Sequence, residues 1–217
     1  NAITFTQDAA MRPARSDSPS SLHTERLERI VAALRESAAS SVLDLGCGPG
    51  ELLVLLAAEE QFCRIVGIDT DQEVLQEARH HLAAQGHSVD GGRLSLFHAS
   101  FTDFIPELAG FDAITLVETI EHVAPVRLSA IEKTVFAGYR SRTVLITTPN
   151  SEYNVLHGMA SGQLRHPDPY FEWTREKFRR WATGVAGRHG YQVDFCAIGE
   201  VDPRLGGSTQ MAIFRRF

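Results

Sequence analysis

The sequence predicts a doubly wound α/β fold: seven strands in a mostly parallel sheet, helices on both faces, and an antiparallel C-terminal hairpin at one edge. Three observations carry this expectation. Five short apolar runs alternate with helix-like segments, a glycine cluster follows the first run, and the last two runs are joined through Gly, Asp and Pro without a helix.

Taken in order, residues 1–21 are polar and patternless and read as an arm, leaving 22–217 as one domain. LERIVAALRES (27–37) has the 3.6-residue apolar period of an amphipathic helix. SVLDL (41–45), RIVGID (64–69), RLSLFHAS (93–100), FDAITLV (111–117) and RTVLITT (142–148) read as buried strands. Between them ELLVLLAAEE (51–60), DQEVLQEARHHLAA (71–84) and VRLSAIEKTVFAGY (126–139) read as crossover helices. A last helix is expected from near Thr174, with Phe178, Trp181, Ala182 and Val185 on one face, before YQVDFCAIG (191–199) and TQMAIFRRF (209–217) close the sheet. There is no internal repeat.

Composition narrows the function classes. At 217 residues and 43% apolar, the chain can bury one core. It has no apolar run long enough to cross a bilayer and no export signal at its start, so a protein not bound to membrane is expected. Three cysteines, Cys47, Cys63 and Cys196, offer neither a disulfide framework nor zinc spacing, which suits a reducing, cytoplasmic setting. The start at Asn1 suggests a trimmed chain or a domain of something longer. The net charge of −6 argues against a general nucleic-acid binder, but it divides unevenly: residues 1–124 carry 8 Lys and Arg against 19 Asp and Glu, and residues 125–217 carry 13 against 8. Arg165, Arg175, Lys177, Arg179, Arg180 and Arg188 form a basic cluster that could meet phosphates, although a solvated helix face is the better-favoured reading.

The chemistry begins at VLDLGCGPGELL. A strand ends at Leu45, Gly46, Gly48 and Gly50 follow, and a helix opens after Pro49, so a ligand can approach backbone closely at a helix N-terminus. Alone, such a loop is equally a tight strand-to-helix turn. Asp69 ends the next strand about twenty residues beyond the loop, where a carboxylate grips ribose hydroxyls. Asp44, inside the strand before the glycines, does not suit a pyrophosphate but would complement the ammonium of S-adenosylmethionine. The combination of D-L-G-C-G-P-G with G-I-D resembles the class I S-adenosylmethionine-dependent methyltransferases. That resemblance implies a cofactor site built from Asp44, Gly46, Cys47, Gly48, Asp69, Thr70 and Val117, with Ser100 and Phe101 bordering the adenine; Thr70, Ser100 and Phe101 are equally ordinary strand-end residues.

A second acidic feature follows the fourth strand. Glu118, Glu121 and His122 would share one face if the chain turned helical after Val117. Crowded carboxylates repel unless a cation sits between them, and this donor set suits Mg2+ or Mn2+. Spacing alone weighs that reading level with another, in which Glu118 lines the cofactor pocket and the other two make surface hydrogen bonds.

ETIEH (118–122), TTPNSEYNVL (147–156) and RHPDPYFEWTREKF (165–178) together resemble the 3′-terminal RNA ribose 2′-O-methyltransferases, which include small-RNA enzymes and bacterial RNA-repair relatives. The resemblance spans nearly the whole chain after the arm and makes 22–217 a methyltransferase domain of Rossmann-like form. It implies that Glu118, Glu121 and His122 are the catalytic, metal-holding residues. It further implies that the partner is an RNA 3′ end and not DNA, since a metal gripping both vicinal hydroxyls requires the 2′-OH, and that a repair kinase or ligase partner or further domains accompany this one. The family pattern R-x-x-D-H-x-F-E-W carries a histidine ligand where this chain has Pro169. Water is ranked first to fill that gap, and His166 second, with His157 also near in sequence. Tyr153, Phe171 and Trp173 could stack on bases but more often would be core, and Arg165 and Arg175 could meet phosphate or make ion pairs. Two rival readings stand: a methyltransferase for a small catechol-like or sugar diol, and a non-catalytic RNA-end or cofactor-binding module made degenerate by Pro169.

Overall fold

The computed structural model describes residues 19–89, 92–160, 163–165 and 169–217. Of the expected arm, residues 1–18 lie outside the described residues, and 19–21 belong to the first turn of a helix. The elements are α1 (Pro19–Glu36), β1 (Ser41–Leu45), α2 (Glu51–Ala57), β2 (Arg64–Asp69), α3 (Gln72–Ala84), β3 (Leu94–His98), β4 (Ala113–Val117), α4 (Leu128–Glu132), β5 (Thr143–Pro149), α5 (Arg175–His189), β6 (Gln192–Ile198) and β7 (Thr209–Arg215). Short 3₁₀ turns at Pro106–Leu108, Ile120–His122, Pro125–Arg127 and Ser151–His157 and a π-helical stretch at Lys133–Tyr139 lie between them.

The seven strands form one sheet in the order β3-β2-β1-β4-β5-β7-β6. β1 to β5 pair in parallel, and β7 runs antiparallel to both β5 and β6. The C-terminal hairpin is therefore present as the sequence suggests, with its second strand inserted beside β5 and its first at the edge. Alternation along each strand feeds two cores. Val42, Ile65, Leu94 and Leu145 pack with α1, α2 and α3 on one face; Leu43, Ile114, Ile146 and Phe214 pack with α4, the π-helical stretch and α5 on the other. This is the doubly wound arrangement, and it gathers the carboxyl ends of β1, β2, β4 and β5 along one rim of the sheet. Parallel strands buried on both faces explain why β1 and β5 read as unbroken buried runs.

The expected helix over 126–139 is interrupted: a 3₁₀ turn (Pro125–Arg127) leads into five residues of α-helix and then the π stretch. α5 starts as predicted, with Thr174 as its cap: the Lys177 N–H donates to Thr174 Oγ1 at 3.3 Å.

Candidate active site

The glycine loop after β1 is shaped by left-handed backbone. Gly46 (φ 79°) and Gly48 (φ 52°) let the chain fold back so that the amides of Gly46 and Cys47 both donate to the Ile68 carbonyl, each at 2.9 Å. A Cβ on Gly46 would stand 2.8 Å from Thr119 Cγ2, whereas one on Gly48 would meet nothing within 4 Å. The first glycine fits the loop to β4, and the second faces open space that a ligand can enter. Asp69 ties the loop down, its Oδ2 accepting from the Gly48 amide and its Oδ1 from the Asp71 amide, both at 3.0 Å. Each oxygen keeps a lone pair for a ribose hydroxyl.

Asp44 is buried, and its Oδ1 accepts from the Thr115 hydroxyl at 2.6 Å across the β1–β4 pair. Burial pushes its carboxyl up to about 7; the Thr115 bond offsets part of this and nearby Asp69 adds to it. A buried acid poised to ionise beside the loop suits a cationic ligand group. Cys47 is buried, and burial together with the Asp44 and Asp69 carboxylates pushes its thiol up, so it acts as a small apolar wall. Thr70 is exposed just past β2, and its carbonyl is 2.9 Å from His98 Nε2. Ser100 and Phe101 are half-buried past β3, where the Ala99 amide donates to the Asp69 carbonyl. Val117 ends β4 half-buried. All nine residues expected to hold the cofactor thus lie at the carboxyl ends of adjacent strands, the rim where open α/β sheets bind ligands.

Past β4 the chain departs from the expected helical turn. Glu118 sits at φ 50° and its amide still donates to the Thr147 carbonyl and hydroxyl, so strand pairing runs one residue beyond Val117 and the 3₁₀ turn begins only at Ile120. The three side chains therefore do not share a helix face. Glu118 and Glu121 are still brought together. Glu121 is buried, its Oε2 accepts from the Thr148 hydroxyl at 3.0 Å, and burial first, then the Glu118 charge, raises its carboxyl well above the ordinary carboxylate range. Glu118 Oε2 lies 3.3 Å from Nη2 of Arg26, while its Oε1 is buried with no partner among the described residues. His122 is exposed at the end of the turn. Among the described residues no three His, Cys, Asp or Glu side chains are grouped to hold a metal.

The two carboxylates nonetheless fit a divalent cation. One oxygen is orphaned, the acids repel one another, and both are oxygen donors of the kind hard cations prefer. Pro169 is buried, and the next residue, Tyr170, donates its amide to the Glu121 carbonyl at 2.8 Å, so this segment borders the acidic turn. His166 lies outside the described residues, and His157 Nε2 is 2.9 Å from Ser208 Oγ.

The remaining motif residues build the wall. Glu152 takes both the amide and the guanidinium Nε of Arg175, at 2.8 and 2.9 Å, and Glu172 accepts from the Arg165 amide and from Asn154. Arg165 donates to Asn154, Ser208 and the Asn150 carbonyl. Arg180 and Arg188 pair with Glu176 and Glu132, so the basic cluster is largely matched within the protein. Tyr153, Phe171 and Trp173 are core. Arg26, Thr115 and Thr148 were not identified from the sequence. Thr115 and Thr148 lie at alternating strand positions that only register reveals, and Arg26 is 92 positions from Glu118 with no local signal.

A glycine loop flanked by the strand-end carboxylates of Asp44 and Asp69 on this sheet is the arrangement of an S-adenosylmethionine-dependent methyltransferase, and residues 42–137 match the family model described as a methyltransferase domain. The methyltransferase domain of bacterial CtHen1 superposes with a TM-score of 0.80 at 41% identity, covering 89% of this chain and 99% of that one. The small RNA methyltransferase HEN1 superposes with the same TM-score at 30% identity, covering 90% of this chain and 26% of that one. The small RNA 2′-O-methyltransferase of Xenopus tropicalis is 34% identical over 207 residues, 90% of this chain and 55% of that protein. The chain belongs to the Hen1-type small-RNA 2′-O-methyltransferase family. It spans about half the length of the curated animal relatives it matches. No described helix is long and apolar enough to cross a membrane.

Proposed function

We propose that this chain transfers the methyl group of S-adenosylmethionine to the 2′ oxygen of the 3′-terminal ribose of an RNA, in the cytoplasm, with Mg2+ or Mn2+ held by Glu118, Glu121 and His122. The observation that carries this reading is the acidic pair with an orphaned oxygen, seated at the end of β4 beside the glycine loop after β1. Family membership supports it.

In this reading Asp44 meets the cofactor's ammonium and Asp69 its ribose, while Cys47, Gly46 and Gly48 let the backbone close on the ligand and Ser100, Phe101, Thr70 and Val117 border it. Held by these side chains, a divalent cation would supply Lewis acidity that lowers the pKa of the acceptor hydroxyl. The rest is orientation: the ribose oxygen forms its bond to the methyl carbon in line as the carbon–sulfur bond breaks, leaving a neutral thioether. His122 is exposed at the end of the turn, and an imidazole left free of the cation would take the hydroxyl proton on its unprotonated ring nitrogen. With Pro169 in place of a histidine, water would complete the ligand set. A repair kinase or ligase partner belongs to the same reading.

The test is labelled-methyl transfer to an oligoribonucleotide ending in a 2′,3′-diol, to the same oligomer with a 2′-deoxy end, and to catechol, each with and without Mn2+. Label on the diol-ended RNA alone, dependent on Mn2+, is the expected result. Label on catechol in place of RNA would replace this reading with small-molecule chemistry, and tight cofactor binding with no acceptor would leave a binding module.

A further inference from the structure

Arg26 lies on α1, outside every motif that defines the site. Its Nη2 is 3.3 Å from Glu118 Oε2 and donates to Thr209 Oγ1 at 3.1 Å, so one guanidinium ties α1 to the ends of β4 and β7. Among the described residues it is the one cation in ion-pair contact with the acidic pair. Its charge also acts on Glu121, drawing that carboxyl down against burial.

The contact is poorly made. A guanidinium and a carboxylate prefer two parallel, short hydrogen bonds, and this chain builds such a fork where Arg175 meets Glu152 through Nε at 2.9 Å and Nη2 at 3.2 Å. At Glu118 the contact is single and long. Among the described residues it leaves Arg26 Nε and Glu118 Oε1 both buried and without partners, a donor and an acceptor that do not find one another. Both groups are largely enclosed, with side chains 11% and 20% exposed, so solvent does little to compensate either. Charge is satisfied there while geometry is not.

We infer, resting on the reading that the acidic pair takes a divalent cation, that Arg26 is a stand-in counter-ion: it competes with the cation for Glu118, and loading the site loosens α1 from the sheet rim. A cation between the carboxylates supplies the positive charge that Arg26 supplies without it. The guanidinium then faces like charge and keeps its bond to Thr209 as its one tie to the sheet among the described residues, its other contact, Nη1 with His23 Nδ1 at 3.4 Å, lying within α1. Arg26 is thus a positioning residue, acting through Glu118, and it couples the start of the domain to metal occupancy.

The experiment measures Mn2+ binding to the full chain, saturated with S-adenosylhomocysteine, from the loss of the aqueous Mn2+ resonance signal. The proteins are the unmodified chain, Arg26→Gln, Arg26→Lys, Glu118→Gln and the Arg26→Gln/Glu118→Gln double variant. Arg26→Gln should bind Mn2+ at least about fivefold more tightly, the low end of an ordinary coupling between sites. Arg26→Lys should stay near the unmodified value, and the gain should vanish in the Glu118→Gln background. Hydrogen exchange on the unmodified chain reads the same coupling without a variant: Mn2+ should speed exchange of amides in residues 22–30. An unchanged or weaker Kd in Arg26→Gln, or slower exchange there on adding Mn2+, overturns the inference while leaving the metal reading in place. If neither protein binds Mn2+, the metal reading falls and the inference falls with it. Binding seen only in Arg26→Gln supports it most strongly.

Discussion

Replacing Gly46 with alanine tests how the loop is held against β4. Two costs add. At φ 79° an L side chain pays for left-handed backbone, about 1–2 kcal/mol. Its Cβ would also stand 2.8 Å from Thr119 Cγ2, an overpacking of about 1–3 kcal/mol. Together these amount to roughly 2–5 kcal/mol, a large share of a stability of about 5–15 kcal/mol. Gly48→Ala is the control: at φ 52° with nothing within 4 Å it should cost only about 1–2 kcal/mol. Its new methyl group points into the space a ligand enters, so its main loss should be in cofactor affinity. Thr119→Ser removes the clashing methyl but keeps the hydroxyl that donates to the Val117 carbonyl at 3.0 Å. The Gly46→Ala/Thr119→Ser double variant should therefore regain the overpacking part. Urea unfolding of the four proteins and calorimetric cofactor binding supply the numbers. A Gly48→Ala variant less stable than Gly46→Ala, or no rescue by serine, would refute the reasoning.

Asp44→Asn should alter the pH dependence of stability without cofactor. A carboxyl whose pKa rises from 3.8 unfolded to about 7 folded keeps its proton in the native state after the unfolded chain has lost it, so stability falls between these values. Asparagine still accepts from Thr115 and escapes that loss, so the variant should gain on the parent by up to about 4 kcal/mol between pH 4 and 8; a gap independent of pH contradicts the shift. Cofactor affinity of the parent should climb toward pH 7 and then level, and that of the variant should be low and flat. Glu121→Ala should abolish methyl transfer and leave cofactor affinity within about threefold, about 0.7 kcal/mol; equal loss of both would remove its metal role. Pro169→His should tighten Mn2+ binding by tenfold or more, the scale of a ligand-set change; no gain on titration would show that position 169 does not face the site.

Much of the fold was legible because hydrophobic pattern dictates it. β1 and β2 end where SVLDL and RIVGID end, and Thr174 caps α5 as its position before an amphipathic run suggests. The strand order at the C-terminal edge was not read. A hairpin fixes that β6 and β7 pair but not which of them docks on β5. The signal lay in composition: Met211–Phe214 is an unbroken apolar run fit for a doubly buried strand, whereas Gln192 and Asp194 alternate outward on the edge. At the site, the acidic pair was visible in ETIEH but its geometry was not. No sequence rule places a glutamate at φ 50°, and that residue turns an expected helical face into two carboxylates converging from separate segments. The contact of Arg26 with Glu118 is a product of docking α1 on the finished sheet, and nothing local announces it.

The most direct measurement is periodate sensitivity of the RNA product. After incubation with S-adenosylmethionine and Mn2+, a diol-ended oligoribonucleotide should resist periodate cleavage and β-elimination, because a 2′-O-methyl group removes the vicinal diol. RNA that carries label yet remains fully sensitive to periodate would place the methyl group elsewhere and contradict the proposed acceptor.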